Sequence, residues 1–232
     1  MDIKKINQQT RDNYNIVAKH FSQTRQFLWQ ELKPFLTYIN PNDKVLDVGC
    51  GNGRLFGAIN SLNPTININY LGIDFSQELL SLAKKDYSQA KFILADITDK
   101  NTWANLKNFD IAFCIAMFHH LPTRSLQFKV LRLIRKSLKK NGLLVISVWN
   151  LWQKKYWQTH LDSLNWKLKS GFKLRWLKLP YKISDGKTTI KQVNRFCYCF
   201  TLNELDNLLT KAGFKILDKK SGKNLCLLAK KC

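Results

Sequence analysis

Three glycines at alternate positions follow a short apolar segment, and their spacing suits a turn that holds a nucleoside. Residues 45–53 read VLDVGCGNG, with Gly49, Gly51 and Gly53. Glycine lets the backbone turn tightly and bring its N–H groups against a ligand without interference from a Cβ atom. The dinucleotide fingerprint G-x-G-x-x-G needs its third glycine one residue later, where this chain has Arg54. The loop therefore favours a nucleoside turn, although glycine-rich turns also occur for structural reasons alone.

Acidic residues at the ends of the next predicted strands supply groups that a nucleoside binds. Asp74 follows a predicted strand over 69–73, where a carboxylate can accept from ribose hydroxyls. Its alternative role is to cap the next helix beside Ser76. Asp96 closes a strand over 91–95, where it can accept from an adenine amino group. The candidate cofactor-binding residues are Asp47, Gly49, Gly51, Gly53, Asp74, Asp96, Ile97 and Ile115.

Two adjacent histidines and a tryptophan follow later strands at the same predicted edge. His119 and His120 come directly after a strand over 109–115, and ligands of open α/β sheets bind at the carboxyl ends of strands. One histidine can contact a nucleobase or cofactor while the other packs. We expect no metal there, because adjacent histidines do not easily chelate one ion and no carboxylate cluster accompanies them. Trp149 ends the fifth strand, where it either stacks on a flipped base or completes the core.

The elements that must position these residues alternate between strand and helix. Two helices or one kinked helix are predicted over 2–38, because Pro34 interrupts the helical spacing. The spacing then predicts strands over 45–49, 69–73, 91–95, 109–115 and 143–148, and helices over 53–61, 76–86 and 124–138. Helix 201–212 has a capping box at Thr201 and Glu204. Strands over 214–217 and 224–229 follow. The whole predicts a parallel, doubly wound α/β sheet that ends in an antiparallel pair.

Charge is the second informative property of the chain. Lys and Arg number 38 against 16 Asp and Glu, a net charge of +22 that favours a polyanionic partner. Residues 151–232 hold 18 of the basic and 5 of the acidic residues. The stretch 151–195 is expected to be an insertion, with turns at Pro180 and at Asp185-Gly186. Its basic residues alternate with aromatic residues that suit stacking on unpaired bases or a small core: Trp152, Tyr156, Trp157, Trp166, Phe172, Trp176 and Tyr181.

Three segments make the chain similar to a known enzyme family. Residues 20–25 read HFSQTR, residues 115–121 read IAMFHHL, and residues 195–200 read RFCYCF. These segments resemble the tRNA wobble-uridine methyltransferases that esterify 5-carboxymethyluridine at position 34, which are class I S-adenosylmethionine-dependent enzymes. Two positions depart from the family pattern: Tyr198 stands where the family has histidine, and Leu225 where it has an aromatic residue. The departures concern the substrate pocket more than the cofactor site.

The resemblance implies one Rossmann-like class I methyltransferase domain over 1–232, with a mostly parallel seven-stranded sheet and a closing antiparallel hairpin. Its parts are N-terminal helices (1–40), a cofactor-binding half (41–150), the basic aromatic insertion (151–195) and the C-terminal helix and strands (196–232). It implies S-adenosylmethionine as cofactor, the tRNA anticodon loop as substrate, and a small zinc-binding activator subunit as a possible partner. The candidate catalytic residues are Arg25, His119, Trp149 and Arg195.

A carboxylate nucleophile explains why two of these residues are arginines. A carboxylate is ionised at neutral pH and needs no general base, but it needs cations to orient it. Arg25 and Arg195 can do this, although either can instead contact phosphate or form a surface ion pair.

The alternatives for the whole chain are a methyltransferase acting on a small molecule, such as a quinone precursor or an acid, and a catalytically silent RNA-binding protein. The six cysteines suit reduced thiols and a cytoplasmic location, and we expect no membrane span.

Overall fold

Parallel strands with apolar residues on both faces form the centre of the molecule. The computed structural model describes residues 3–170, 175–184 and 189–232, and only the backbone of 165–170 and 184. The strands are β1 (Lys44–Val48), β2 (Asn69–Asp74), β3 (Lys91–Leu94), β4 (Phe109–Ile115), β5 (Leu138–Trp149), β6 (Trp176–Ser184), β7 (Thr189–Tyr198), β8 (Phe214–Ser221) and β9 (Asn224–Lys231). The helices are α1 (Ile3–Thr24), α2 (Arg54–Leu62), α3 (Gln77–Asp86), α4 (Arg124–Ser137), α5 (Trp157–Ser170) and α6 (Leu202–Lys211).

Seven strands form the main sheet in the order β3-β2-β1-β4-β5-β9-β8. Strands β1 to β5 pair in parallel, whereas β9 is antiparallel to both β5 and β8. The predicted fold class, a doubly wound sheet with a closing antiparallel hairpin, is confirmed. The order reverses between β1 and β4, and open α/β sheets bind ligands at the carboxyl ends of their strands at such a point.

Both faces of the sheet are covered, as the continuous apolar strands require. On one face, Leu46 and Val48 pack in a cluster that includes Val130 of α4 and Leu205 of α6. On the other face, Val45 packs with a second cluster. That cluster includes residues of the 3₁₀ helix Gln30–Tyr38, which follows α1. Two helices are present, as predicted, but the break lies at residues 25–29, and Pro34 lies within the second helix rather than at the interruption. The strands therefore hold their carboxyl ends rigidly at one edge.

Helix α1 joins the cofactor half of the chain to the β6–β7 hairpin. Its residues Tyr14 and Val17 pack with Leu79 of α3 and with Val193 of β7. The Asn13 side-chain amide donates to the Asn194 carbonyl over 2.7 Å. The helix thus lies beside the carboxyl edge of the sheet and closes one side of the site. No helix in the described part of the chain is long and apolar enough to cross a membrane.

One of the two expected turns was wrong, and the other lies outside the described residues. Pro180 lies within β6, opposite Asn194 of β7. Proline is tolerated there because a two-stranded ribbon has an outward edge that needs no N–H donor. Strand β5 begins at Leu138, earlier than the predicted 143–148, and it is irregular at Asn141, where φ is 63° and the register with β4 shifts. The turn predicted at Asp185-Gly186 falls outside the described residues. Strand β7 runs three residues past the expected end of the insertion.

Candidate active site

The glycine loop leaves β1 in a conformation that only glycine adopts easily. Gly49, Gly51 and Gly53 have φ of 76°, 55° and 76°. A Cβ atom added at Gly49 would overlap the Met117 side chain. The Gly49 N–H donates to the Ile73 carbonyl of β2 over 2.8 Å, which ties the loop to the neighbouring strand. The loop is therefore open toward the pocket and constrained by both its conformation and its neighbours.

Asp74 links the glycine loop to the start of α3. Its Oδ2 accepts from the Gly51 N–H and its Oδ1 from the Ser76 N–H, both over 2.9 Å. Burial raises the pKa of Asp74, while these two hydrogen bonds oppose the rise. The helix cap is Ser76, whose hydroxyl accepts from the Leu79 N–H. The capping alternative thus applies to Ser76, and Asp74 holds the loop with oxygen lone pairs left for a ligand.

Asp96 is also fixed by its own chain, just beyond β3. Its Oδ1 accepts from the Thr98 N–H over 2.8 Å and from the Thr98 hydroxyl over 2.7 Å. Its Oδ2 lies 3.3 Å from Nη2 of Arg11 on α1. Because both partners of that ion pair are about one-third exposed, it contributes little stability. Its main effect is to orient the carboxylate beside Ile97 at the pocket.

Asp47 lies deeper than the other two carboxyl groups. It is 2% exposed and accepts from the Tyr70 hydroxyl over 2.7 Å. Burial raises the pKa of Asp47 to about 7, an effect that the Tyr70 hydrogen bond and the charge of Arg54 oppose. Asp47, at the floor of the loop, therefore keeps its proton to a higher pH than an exposed aspartate does.

A pocket at the carboxyl ends of β1, β2 and β4 brings most of the predicted residues together. Those that line it are Arg25, Asp47, Gly49, Gly51, Asp74, Asp96, Ile97, Ile115 and Trp149. Gly53, His119 and Arg195 do not line it. Sequence reasoning did not select three lining residues that matter for the site, Tyr14, Trp29 and Arg54, and it chose His119 as the candidate catalytic histidine, whereas His120 lines the pocket. A cation directly after the glycine loop was a usable signal for Arg54, whereas no spacing rule singled out Tyr14 or Trp29.

Arg195 lies behind Trp149, in an aromatic environment. Its guanidinium carbon is 4.7 Å from the centre of the Trp149 ring and 4.8 Å from the centre of the Tyr181 ring. Its Nε and Nη1 atoms are buried, and neither has a hydrogen-bond partner among the described residues. Burial raises the pKa of Tyr14 to about 12, although the nearby Arg195 charge opposes this. The Arg195 side chain, a cation with unused N–H donors, therefore lies next to two residues that line the pocket, Trp149 and Tyr14.

The two histidines differ in their contacts. His120 Nδ1 lies 3.0 Å from the Phe196 carbonyl and its Nε2 lies 2.8 Å from the Tyr14 hydroxyl. This pattern places the proton on Nδ1, because a carbonyl can only accept. Burial lowers the pKa of His120 to about 4, and the pKa of His119 falls well below its usual value. Both imidazoles are therefore neutral at pH 7.

His119 packs rather than facing the pocket. It is fully buried, its ring centre lies 4.5 Å from that of Trp149, and its two nitrogens have no partner in the described part of the chain. His119, His120 and Cys197 bring possible ligand atoms within 4.8 Å of one another. Both nitrogens of His120 are already hydrogen-bonded, however, and the Arg195 charge is close by. The cluster therefore lacks the three open ligands that a metal ion needs.

The basic aromatic segment divides into core and surface residues. Trp176 and Tyr181 are buried, so the satellite-core interpretation holds for them. Trp157 is 65% exposed and Trp152 is 45% exposed, with the Trp152 ring stacked on His160. The side chain of Trp166 and the whole of Phe172 lie outside the described residues. The two exposed aromatic residues, Trp152 and Trp157, thus come from the start of the segment, shortly after Trp149 in the sequence. 

The five cysteines that lie in apolar surroundings are reduced and buried, and Cys232 is exposed.

The strand order, the glycine loop and the acidic strand ends define an S-adenosylmethionine-dependent methyltransferase of class I. A family model described as a methyltransferase domain matches residues 39–213, and the chain belongs to that family. The matched residues include every strand from β1 to β7 and helix α6.

Similar proteins include enzymes that modify tRNA. A tRNA (carboxymethyluridine(34)-5-O)-methyltransferase of Saccharomyces cerevisiae is 35% identical over 143 residues, which cover 60% of this chain and 47% of that protein. One of Schizosaccharomyces pombe is 26% identical over 224 residues, which cover 94% of this chain and 93% of that protein. The chain thus spans about half the length of the first relative and nearly all of the second.

Solved structures share the fold at lower identity. A Burkholderia thailandensis 1,6-didemethyltoxoflavin-N1-methyltransferase with bound S-adenosylhomocysteine has a TM-score of 0.67 and 18% identity, and the match covers 100% of this chain and 91% of that chain. A complex that contains the Haloferax volcanii Trm112 methyltransferase activator has a TM-score of 0.65 and 16% identity, with 95% and 96% covered. At these identities the likeness shows the fold alone.

Proposed function

We propose that the chain transfers a methyl group from S-adenosylmethionine to the carboxylate of 5-carboxymethyluridine at the wobble position of tRNA. The observation that carries this proposal is the half-buried side chain of Arg195 beside the pocket, whose Nε and Nη1 atoms are buried without a hydrogen-bond partner among the described residues. A buried, unpaired cation is costly, and a carboxylate matches the planar fork of arginine. The names of the two fungal relatives support the same acceptor.

The residues of the pocket fit the proposed cofactor. The space beside Gly49 is filled by the Met117 side chain, whereas a Cβ atom added at Gly51 would meet only the Leu79 side chain at 3.9 Å, so the open part of the loop against which a ligand can lie is at Gly51. We assign the ribose to Asp74 and the adenine to the region of Asp96 and Ile97, because these groups line one continuous pocket with the loop. When bound, S-adenosylmethionine supplies an electrophilic methyl group on its sulfonium.

The chain's own residues then have to position an acceptor that is already ionised. Arg195 orients the carboxylate, and Arg25, which lines the pocket, supplies a second cation at its opening. Trp149 lines the pocket and is the residue assigned to stack on the uridine ring. The neutral His120 holds the Tyr14 hydroxyl through its Nε2 and removes no proton. Catalysis in this scheme is alignment of donor and acceptor, which needs no general base.

The surface beside Trp149 suits RNA. Trp157 is largely exposed and Trp152 is partly exposed, and Lys154 and Lys155 lie between them in sequence. Arg175 adds a guanidinium 5.9 Å from the Trp152 ring. Exposed aromatic rings among cations bind bases by stacking and phosphates by charge. The net charge of +22 supports a polyanionic substrate, and free buried thiols support a cytoplasmic site of action.

An activator subunit is proposed to bind the edge of the sheet at β3. This strand ends the sheet on that side, and its residues Ile93 and Leu94 are 46% and 51% exposed. Unpaired edge strands with apolar side chains readily accept a partner strand. The structural neighbour solved with the Trm112 activator supports this type of partner.

Co-purification with a co-expressed Trm112-type activator tests this surface. Leu94→Lys should abolish complex formation, whereas Leu62→Lys, at an exposed leucine on α2, should leave it intact. An unaffected complex in the Leu94→Lys variant would place the contact elsewhere, and no complex with the unaltered chain would refute the partner.

Nucleoside mass spectrometry tests the reaction itself. The protein, with and without the activator, is incubated with methyl-labelled S-adenosylmethionine and tRNA that carries 5-carboxymethyluridine. We expect label in 5-methoxycarbonylmethyluridine at position 34, and none with tRNA that carries unmodified uridine there. Label in another nucleoside, or only in added quinone precursors, would overturn the proposed acceptor.

A further inference from the structure

Arg54 is a second arginine with a buried, unused donor, and it lies on the pocket wall. It is the first residue of α2, directly after the glycine loop. It is 9% exposed, and its Nη1 atom is buried with no hydrogen-bond partner in the part of the chain that the structure describes. The Trp29 ring lies 4.4 Å from the guanidinium carbon and holds the plane of the guanidinium by a cation–π contact.

No carboxylate of the described chain neutralises this guanidinium by direct contact. Asp47 influences its charge, but the two groups form no ion pair within 4.0 Å, and Asp47 accepts from Tyr70 instead. Burial lowers the pKa of Arg54 to about 10, so the group stays charged at neutral pH. Arg25 adds a second positive charge nearby. This end of the pocket therefore requires an anion.

The position of Arg54 in the pocket indicates which anionic group it binds. The nucleoside groups assigned above, Asp74 and Asp96, come from β2 and β3, whereas Arg54 and Trp29 line the pocket beyond the glycine loop. The N-terminus of α2 begins at the same point and adds its own preference for negative charge. The part of the cofactor farthest from its adenine is an amino-acid end that carries a carboxylate.

We infer that Arg54 binds the carboxylate at the amino-acid end of S-adenosylmethionine, with Trp29 positioning the guanidinium. This inference rests on the proposed placement of the cofactor but not on the proposed tRNA acceptor. It gives the two arginines with buried, unused donors different ligands: Arg54 binds the methyl donor and Arg195 binds the acceptor.

Ligand truncation tests the inference by equilibrium binding, without turnover. The ligands are S-adenosylmethionine and its decarboxylated form, which lacks only the carboxylate. In Arg54→Met, affinity for S-adenosylmethionine should fall about tenfold to hundredfold, as expected for a lost charge-assisted hydrogen bond. Affinity for the decarboxylated form should stay equal or rise, because a repulsive charge is removed. Equal losses for both ligands would overturn the assignment.

Two further variants guard against trivial outcomes. Arg54→Lys keeps the charge but loses the fork, so its loss for S-adenosylmethionine should be smaller than that of Arg54→Met. Arg132→Met removes an arginine that lies 5.9 Å from the Phe128 ring on α4, away from the pocket, and should change neither affinity. Unchanged cofactor affinity in Arg54→Met with weaker tRNA use would assign Arg54 to the acceptor and refute the inference. Normal cofactor binding without tRNA methylation would instead refute the proposed function alone.

Discussion

The two sides of the pocket differ in how completely their polar groups are satisfied. On the side built by β1, β2 and β3, the carboxylates of Asp74 and Asp96 accept from main-chain N–H groups near them in the fold. On the side built by β5, β7 and the two histidines, buried nitrogens of Arg195 and His119 have no partner among the described residues. The two donor-side carboxylates are thus preorganised by the backbone, whereas Arg54 on that side and Arg195 on the acceptor side each keep a buried donor that a ligand can satisfy.

This difference has an energetic meaning. Groups that are already hydrogen-bonded keep their geometry whether or not a ligand is present, and they bind it with little reorganisation. An unpaired buried donor destabilises the free protein and is relieved only when a matching acceptor arrives. The acceptor side can therefore discriminate strongly against ligands that lack the anion, as sites with buried polar groups do.

The largest expected effect comes from removing the acceptor-side cation. Arg195→Met should lower kcat about 10²-fold to 10³-fold, the range for a lost charge-stabilising group at a reacting centre. Affinity for tRNA should change less than about threefold, because the group acts on the reacting carboxylate. Single-turnover kinetics and filter binding measure the two quantities. A loss of tRNA affinity as large as the loss of rate would make Arg195 a phosphate contact and remove the contrast between the two sides.

A pH-dependent stability effect is expected from the floor of the donor side. The folded-state pKa of Asp47 is about 7 against a reference of 3.8, so the folded protein holds this proton more tightly than the unfolded chain. Its stabilising contribution is full below about pH 4 and is lost as the pH rises through 7. Asp47→Asn removes this pH dependence. Relative to that variant, the free energy of unfolding of the unaltered protein should fall by on the order of 2–4 kcal/mol between pH 4 and 8.

Urea unfolding at both pH values measures this difference. The same gap in the free energy of unfolding at pH 4 and pH 8 would show that Asp47 titrates alike in the folded and unfolded states.

The smallest of the three effects concerns cofactor affinity. Asp74→Ala removes a ribose acceptor and the link between the Gly51 and Ser76 N–H groups. Cofactor affinity should fall about tenfold to hundredfold, the value of one or two hydrogen bonds to a charged group, with tRNA affinity nearly unchanged. Calorimetry for the cofactor and filter binding for tRNA separate the two. Asp110→Ala, at a half-buried carboxylate that pairs with Lys139, is the control. Equal losses of both affinities would erase the division of the pocket into two sides.

The donor side was readable from the sequence because its chemistry is local. Alternate glycines impose their own backbone conformation, and Asp74 reaches partners within its own βα unit and the adjacent loop. The five parallel strands followed from apolar runs with turn residues between them. These features depend on neighbours in sequence, so pattern and spacing were sufficient to predict them.

The acceptor side was harder because it depends on packing between distant segments. His119 and His120 lie on one short 3₁₀ helix, and only the docking of α1 and β7 decides that His120 faces the pocket. Trp176 and Tyr181 are buried because the β6–β7 hairpin packs against α1 and its surroundings. One donor-side contact is also long-range: the Arg54 guanidinium lies 4.4 Å from the ring of Trp29, which comes 25 residues earlier in the chain. No local pattern encodes such contacts.

The distribution of thiols offers a practical consequence. Five cysteines are buried and Cys232 is exposed, next to the end of β9 that pairs with the start of β5. That end lies at the amino edge of the parallel sheet, opposite the pocket. A thiol-reactive fluorophore or surface anchor therefore attaches at one position in the folded protein, on the side that leaves both cofactor and RNA free to enter.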